Sequence, residues 1–163
     1  MSADFRIRPY TETDRPAFRS MALGLQEAER RMESNRAVWA DNGGAYTDWV
    51  FDEVGAHSGA VFMAESAEGT AIGMVSCWRA EDETEITVRP DARAHLYIGD
   101  IFVVESWRGR NVAGALLAAA DAHGRSLGLR YVTIGLLAVN QAAWRAYEKS
   151  GFEGYEVYLR KQL

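Results

Sequence analysis

Residues 98–114 read Ile98-Gly99-Asp100-Ile101-Phe102-Val103-Val104-Glu105-Ser106-Trp107-Arg108-Gly109-Arg110-Asn111-Val112-Ala113-Gly114. The run His95–Val104 is apolar and rich in β-branched and aromatic residues, which predicts a central strand. Val112–Leu127 is rich in Ala and Leu and predicts a helix closed by Gly128. Between them lies a short polar turn with two arginines. A strand, a tight turn and a helix that opens on small residues let an anion approach successive backbone N–H groups, where the helix dipole adds roughly half a positive charge. Arg108 and Arg110 strengthen that field.

Working outward, Phe5–Pro9 alternates as a short strand that ends on a proline unable to donate to a ladder. From Thr11 to Arg36 apolar residues recur at helical spacing, and Gly43-Gly44 is expected to break the chain before a second short helix, Tyr46–Val54. Ala60–Ala64 and Ala71–Arg79 predict two strands. The acidic stretch Ala80–Ala94 predicts an exposed loop or hairpin end, with Glu85–Val88 as a strand extension. Downstream of the quoted segment come a buried strand, Tyr131–Leu136, a short helix, Gln141–Lys149, and an alternating last strand, Glu153–Arg160. The order β-α-α-β-β-β-α-β-α-β predicts a single α/β (α+β) domain over residues 1–163, with a mixed, mostly antiparallel central sheet flanked by helices.

Bulk composition limits the function. With 48% hydrophobic and 25% charged residues the chain is ordinary for one globular domain with a real core. Its single cysteine, Cys77, excludes a disulfide framework and a paired-cysteine metal site, so a reduced cytoplasm is expected and no metal. No stretch approaches membrane-spanning length. Residues 1–90 hold nine Lys+Arg against 16 Asp+Glu, and residues 91–163 nine against seven. That asymmetry disfavours nucleic acid and suits an anionic ligand on the second half and a cationic one on the first.

A second motif follows the strand Tyr131–Leu136. Asn140 is placed to cap the helix, and Tyr147 lies two turns on, near the same face. Gly151-Phe152 follows. Together the two motifs resemble the GNAT superfamily of acyl-CoA-dependent N-acetyltransferases over about residues 98–160. The family pattern is Arg or Gln, then xxGxG or xxGxA, then a helix of small residues. Arg108 matches its first position and Ala113 its last, while Asn111 stands where the family has its first glycine. Asn is the non-glycine residue that best tolerates left-handed backbone. In the second motif the Asn, the Tyr seven residues on and the Gly-Phe pair all agree.

The resemblance implies acetyl-CoA as cosubstrate and attack by a primary amine in a ternary complex. Its phosphates would meet Arg108, Gly109, Arg110, Asn111, Val112, Ala113 and Gly114, and its pantetheine arm Asn140, Ala143 and the backbone of Ile101, Phe102 and Val103, on a strand that is bulged in the family. Tyr147 is implied as general acid toward the leaving thiolate. Polyamine acetyltransferases of the family carry a Glu two residues before the strand triplet and an acid just before it; here those positions hold Gly99 and Asp100. Asp100 is the candidate to orient or deprotonate the amine, and strand alternation leaves open whether it faces the cleft or a salt bridge. Glu105 and His123 are weaker candidates. The first helices, Leu23–Trp49, and the loop Glu81–Glu85 are implied as the acceptor side, with Trp39, Tyr46, Trp49 and Trp78 available to line it.

The expected partners are a small-molecule or peptide amine, with room for a homodimer and without nucleic acid or membrane. The competing reading is a non-catalytic acyl-CoA-binding regulatory module on the same fold. Retention of Tyr147 argues against it, because binding alone needs no proton donor. A flavin- or nicotinamide-binding domain would need a glycine fingerprint after an early strand, which is absent.

Overall fold

A computed structural model describes residues 4–81 and 87–163. Its organising element is β3 (Ala71–Glu81), in which seven consecutive residues, Ile72–Trp78, are buried. A strand buried on both faces must carry a helical layer on each side. On one face Ile72, Val75 and Cys77 meet Val112, Leu116, Leu117 and Ala120 of α4 (Val112–Ser126). On the other, Met74 and Trp78 join Phe18, Met21 and Ala22 of α1 (Arg15–Met32) and Val50 of α2 (Trp39–Ala56).

Five strands in the order β1-β2-β3-β4-β5 form the sheet, with β1 (Phe5–Pro9), β2 (Ala60–Ser66), β4 (Ala94–Val103) and β5 (Val132–Ile134) around β3. The first three pairings are antiparallel and β4 runs parallel to β5. A single-turn helix, α3 (Pro90–Arg93), leads into β4, and α5 (Gln141–Lys149) follows β5. Arg8 on β1 reaches both Glu65 of β2 and Asp14, which precedes α1. Its hydrogen bonds hold the Asp14 carboxyl down at about 2 and tie the first helix to the sheet.

Three expectations are corrected. Gly43 and Gly44 do not break the chain but lie inside α2, which runs unbroken from Trp39. The Trp39 indole packs where a Cβ of Gly43 would project, so the glycine serves a close contact one turn along. The strand after α4 is only three residues long. The expected last strand, Glu153–Arg160, does not form: the segment is irregular, with Tyr158 and Leu159 more than 90% exposed. Alternation supplies a face, but a strand also needs an edge to pair with, and the short β5 offers little. Arg160 instead reaches Glu33 beyond the end of α1, at 2.9 Å. Of the acidic loop, residues 82–86, including the expected strand start at Glu85 and most of the acceptor loop Glu81–Glu85, lie outside the described residues.

Candidate active site

The β3–β4 register pairs Ser76 with Asp100 and Cys77 with Ile98, leaving Gly99 as an extra residue on β4. This β-bulge is the irregularity expected in the strand before the turn. On its other side β4 pairs with β5 only through Leu96, Tyr97 and Ile98. Past Ile98 the two parallel strands part, so the stretch Ile101–Val103 keeps its ladder to β3 and has no strand on its β5 side. An open backbone edge is what an amide-bearing extended ligand can pair with.

At the end of β4 a single 3₁₀ turn, Glu105–Trp107, reverses the chain toward α4. Gly109 and Asn111 both take the left-handed conformation, at φ 76° and 62°, on either side of Arg110. Asn111 thus meets the geometric demand of the position where the resembling pattern has glycine. The first helical hydrogen bond runs from the Ala115 N–H to the Asn111 carbonyl. The N–H groups of Val112, Ala113 and Gly114 precede it, the unsatisfied donors of any helix start. Arg108 donates from Nε to the Val103 carbonyl at 3.1 Å, locking the turn to the strand end, and Arg110 stacks on Trp107.

Asn140 caps α5, its Oδ1 accepting from the Ala143 N–H at 3.1 Å, so the carboxamide NH2 is the part left for a ligand. At the other end of α5 the Gly151 N–H donates to Glu148 and the Phe152 N–H to the Tyr147 carbonyl, with Gly151 at φ 89°. This is a Schellman closure, and its usual apolar contact is the Tyr147–Phe152 ring pair at 5.9 Å. The Gly-Phe pair therefore fixes the tyrosine. Burial, and after it the charge of Glu29, pushes the Tyr147 hydroxyl up to about 12.

Asp100 faces a cavity rather than a salt bridge. It is 3% exposed; Tyr46 donates to its Oδ1 at 2.6 Å and Ser76 to its Oδ2 at 3.2 Å, while the Asp100 N–H donates to Ser76 Oγ. Burial raises the Asp100 carboxyl above the ordinary carboxylate range, against the two hydroxyl donors that lower it. Burial, with the neighbouring Asp100 charge, likewise raises Tyr46. Gly99 has a packing reason of its own: the Trp78 indole occupies the space a Cβ there would need. The position that holds Glu in polyamine acetyltransferases is thus filled here by a ring.

Two cavities open along this line. One, of about 580 Å³, is bounded by α1, α2 and β4 and includes Tyr46, Trp49, Trp78 and Asp100. The other, of about 740 Å³, lies along β5, α5 and the C-terminal segment and includes Tyr147. Asn35, Arg36, Tyr97 and Gly135–Leu137 border both, so the cavities adjoin, with Asp100 in the smaller and Tyr147 in the larger, while Ile101–Val103, Arg108–Gly114, Asn140 and Ala143 line neither. Trp39 belongs to the core and does not line either cavity. His123 bonds the Ser58 carbonyl on the far side of the sheet, and Glu105 sits exposed in the turn. Sequence reasoning missed Glu29 and Tyr97. Neither lies in a local motif; only the amphipathic character of α1 hinted at the first.

The mixed sheet thus parts at its parallel pair beyond Ile98, and α4 starts from the turn that ends β4. Sequence comparison makes the assignment: the chain belongs to the acetyltransferase (GNAT) family, whose model matches residues 20–152. It is 36% identical over 74 residues to the uncharacterized N-acetyltransferase YycN of Bacillus subtilis (strain 168), a match covering 45% of this chain and 46% of that protein. It is 28% identical to the aminoglycoside N(6')-acetyltransferase type 1 of Stenotrophomonas maltophilia, over 96% of this chain and 93% of that one. In fold it is similar to the BH1408 protein of Bacillus halodurans (TM-score 0.82, 16% identity, 97% of this chain and 99% of that one). It is also similar to AAC(6')-Iy in complex with the bisubstrate analog CoA-S-monomethyl-acetylneamine (TM-score 0.68, 22% identity, 98% and 99% coverage). Among the described residues no helix is long and apolar enough to cross a membrane, and no cluster of His, Cys, Asp and Glu is arranged to hold a metal.

Proposed function

We propose that the chain transfers an acetyl group from acetyl-CoA to a primary amine on a small molecule by direct attack in a ternary complex. The observation that carries this reading is the parting of β4 from β5 beyond Ile98, which leaves the edge at Ile101–Val103 open just before the left-handed turn at Asn111 that starts α4. Acetyl-CoA supplies the acyl group as a thioester. The N–H groups of Val112, Ala113 and Gly114, with Arg108 and Arg110, suit its pyrophosphate, and the open edge at Ile101, Phe102 and Val103 suits the amides of its pantetheine arm, for which Asn140 and Ala143 at the start of α5 are the further proposed contacts.

The residues of the chain then divide the proton work. Asp100, with Tyr46 on its Oδ1, takes a proton from the incoming ammonium so that a neutral amine attacks the carbonyl carbon. As the C–N bond forms and the C–S bond breaks, a backbone N–H of the β4 edge polarises the carbonyl oxygen, the Tyr147 O–H donates to the departing sulfur, and the proton that the new amide nitrogen sheds restores the Tyr147 hydroxyl. The high affinity of Tyr147 for its proton keeps that O–H intact at neutral pH. The similarity to an aminoglycoside acetyltransferase supports a small amine as acceptor.

A panel of amines with acetyl-CoA, followed by free-thiol release, tests the reaction, with thermal melting as the binding check. Acetyl-CoA and CoA should raise the melting temperature while NAD and ATP at equal concentration leave it unchanged. Absence of CoA binding at millimolar concentration would refute acyl transfer, whereas CoA binding without thiol release from any amine would favour the regulatory module.

A further inference from the structure

The smaller cavity has a graded lining. A chain of rings in contact, Tyr46–Trp49–Trp78–Tyr97, runs along it with centroids 5.8, 5.7 and 5.2 Å apart. Asp100 lies at its buried end, both oxygens held by hydroxyls. Glu29 of α1 also lines it, a third exposed, and its Oε2 is 3.2 Å from Nε of Arg36 on the short connection between α1 and α2. Among the described lining residues these three carry the charge, and Arg36 is the only cation. The field of Glu29 reaches inward: it helps raise Asp100 after burial, and Tyr46 and Tyr97 after burial and the charge of Asp100.

We infer that the acceptor is a dication whose distal ammonium takes Glu29 from Arg36 while its reacting amine lies at the Asp100–Tyr46 end of the cavity. This rests on the acyl-transfer reading. In the free chain Arg36 acts as a stand-in for the missing charge. It is 43% exposed, so on release it swings into water at small cost, and the incoming ammonium exchanges one partner of Glu29 for another without leaving a carboxylate bare. The four rings line the same cavity as the two carboxylates, and aromatic faces attract ammonium groups. A monoamine uses the inner carboxylate alone and gains nothing from the outer one.

Calorimetric titration of the full chain with 1-aminobutane, with α,ω-diaminoalkanes of graded length and with the diaminocyclitol 2-deoxystreptamine tests this without requiring turnover. The best diamine should bind about 2- to 5-fold more tightly than the monoamine, the range expected for an ion pair at a partly exposed carboxylate. Glu29→Gln should erase most of that advantage and Arg36→Gln should enlarge it a few-fold, with CoA affinity reporting that each variant is folded. The aliphatic and cyclitol arms distinguish a flexible from a ring-borne acceptor. Equal affinity for mono- and diamines, or an advantage that survives Glu29→Gln, overturns the inference. Thiol release with the same amines separates the two readings: Glu29-dependent diamine binding without thiol release leaves the recognition standing and removes acyl transfer, whereas release that is indifferent to Glu29 does the reverse.

Discussion

The two walls of the site are built on different principles. On the donor side the proposed ligand groups are mostly backbone: the open edge of β4, two left-handed residues and a helix start, supplied within residues 101–114 and completed by the cap of α5. On the acceptor side they are side chains brought together from α1, α2, β3 and β4, which are separated by tens of residues. Recognition through backbone demands small residues at fixed local spacing. Recognition through convergent side chains demands only that distant elements pack in one way, so it can change by single substitutions while the donor wall stays as it is. That division suits a cosubstrate held constant and an acceptor that varies.

The sharpest way to break this comparison is at the shared centre. Tyr147→Phe removes one hydroxyl from a ring held by Phe152, so turnover should fall by roughly 10²- to 10⁴-fold while CoA affinity and melting temperature change little. Steady-state kinetics beside calorimetry separates the outcomes. If CoA binding is lost as well, Tyr147 belongs to the donor wall as a structural member and proton donation must move elsewhere, a bound water being the next candidate. On the donor wall itself, Ala113→Glu brings a carboxylate to the first turn of α4, against the proposed phosphates, and should weaken CoA on the order of 100-fold by calorimetry. Normal binding would show that the helix start is not the phosphate site.

The same contrast explains what could be read from sequence. The signal for the central strand, the turn and α4 lay in contiguous residues, and Asn140, Tyr147 and Gly151-Phe152 kept a spacing set by one helix and its closure. Asp100 was legible as a chemical group but not in direction, because the bulge at Gly99 resets the alternation that strand counting relies on. Gly43-Gly44 misled because a glycine that serves a ring contact looks like one that breaks a helix. Glu153–Arg160 misled because a pairing edge is a property of β5, not of the segment itself. Glu29 was invisible among the other charges of α1, since only the packing of α1 against β4 brings it to the cavity.

On the acceptor wall, pH tests whether Asp100 is the base. A base works when ionised, and burial raises the carboxyl of Asp100, so kcat/KM should rise with pH through an acid limb above the ordinary carboxylate range. The Tyr46 hydroxyl stabilises the charged form. Tyr46→Phe should therefore move that limb to higher pH, and Asp100→Asn should remove it and lower the plateau by roughly 10²-fold, the low end for a lost general base. A limb unmoved by both substitutions would assign the titration to the amine itself.

The smallest effect expected is at Asn111, and it bears on why the donor wall is legible at all. If that wall depends on backbone geometry, the residue at φ 62° matters for its conformation and not for its carboxamide. Asn111→Gly keeps the left-handed turn at no steric cost. It also removes a side chain whose Oδ1 fills the space that the missing Cβ of Gly114 leaves at the helix start, so CoA affinity should hold or tighten by about twofold, with stability within about 0.5 kcal/mol as relief of the left-handed strain offsets the added chain entropy. Asn111→Ala should cost a little. Asn111→Val should cost most, because a β-branched residue resists this conformation and will pull the turn away from Arg110 and the first N–H groups of α4. Calorimetry across the series should therefore rank the variants by their tolerance of positive φ. A ranking by hydrogen-bonding capacity instead, with Gly, Ala and Val equally weak, would make the carboxamide a direct ligand contact and turn this part of the donor wall into one built from side chains.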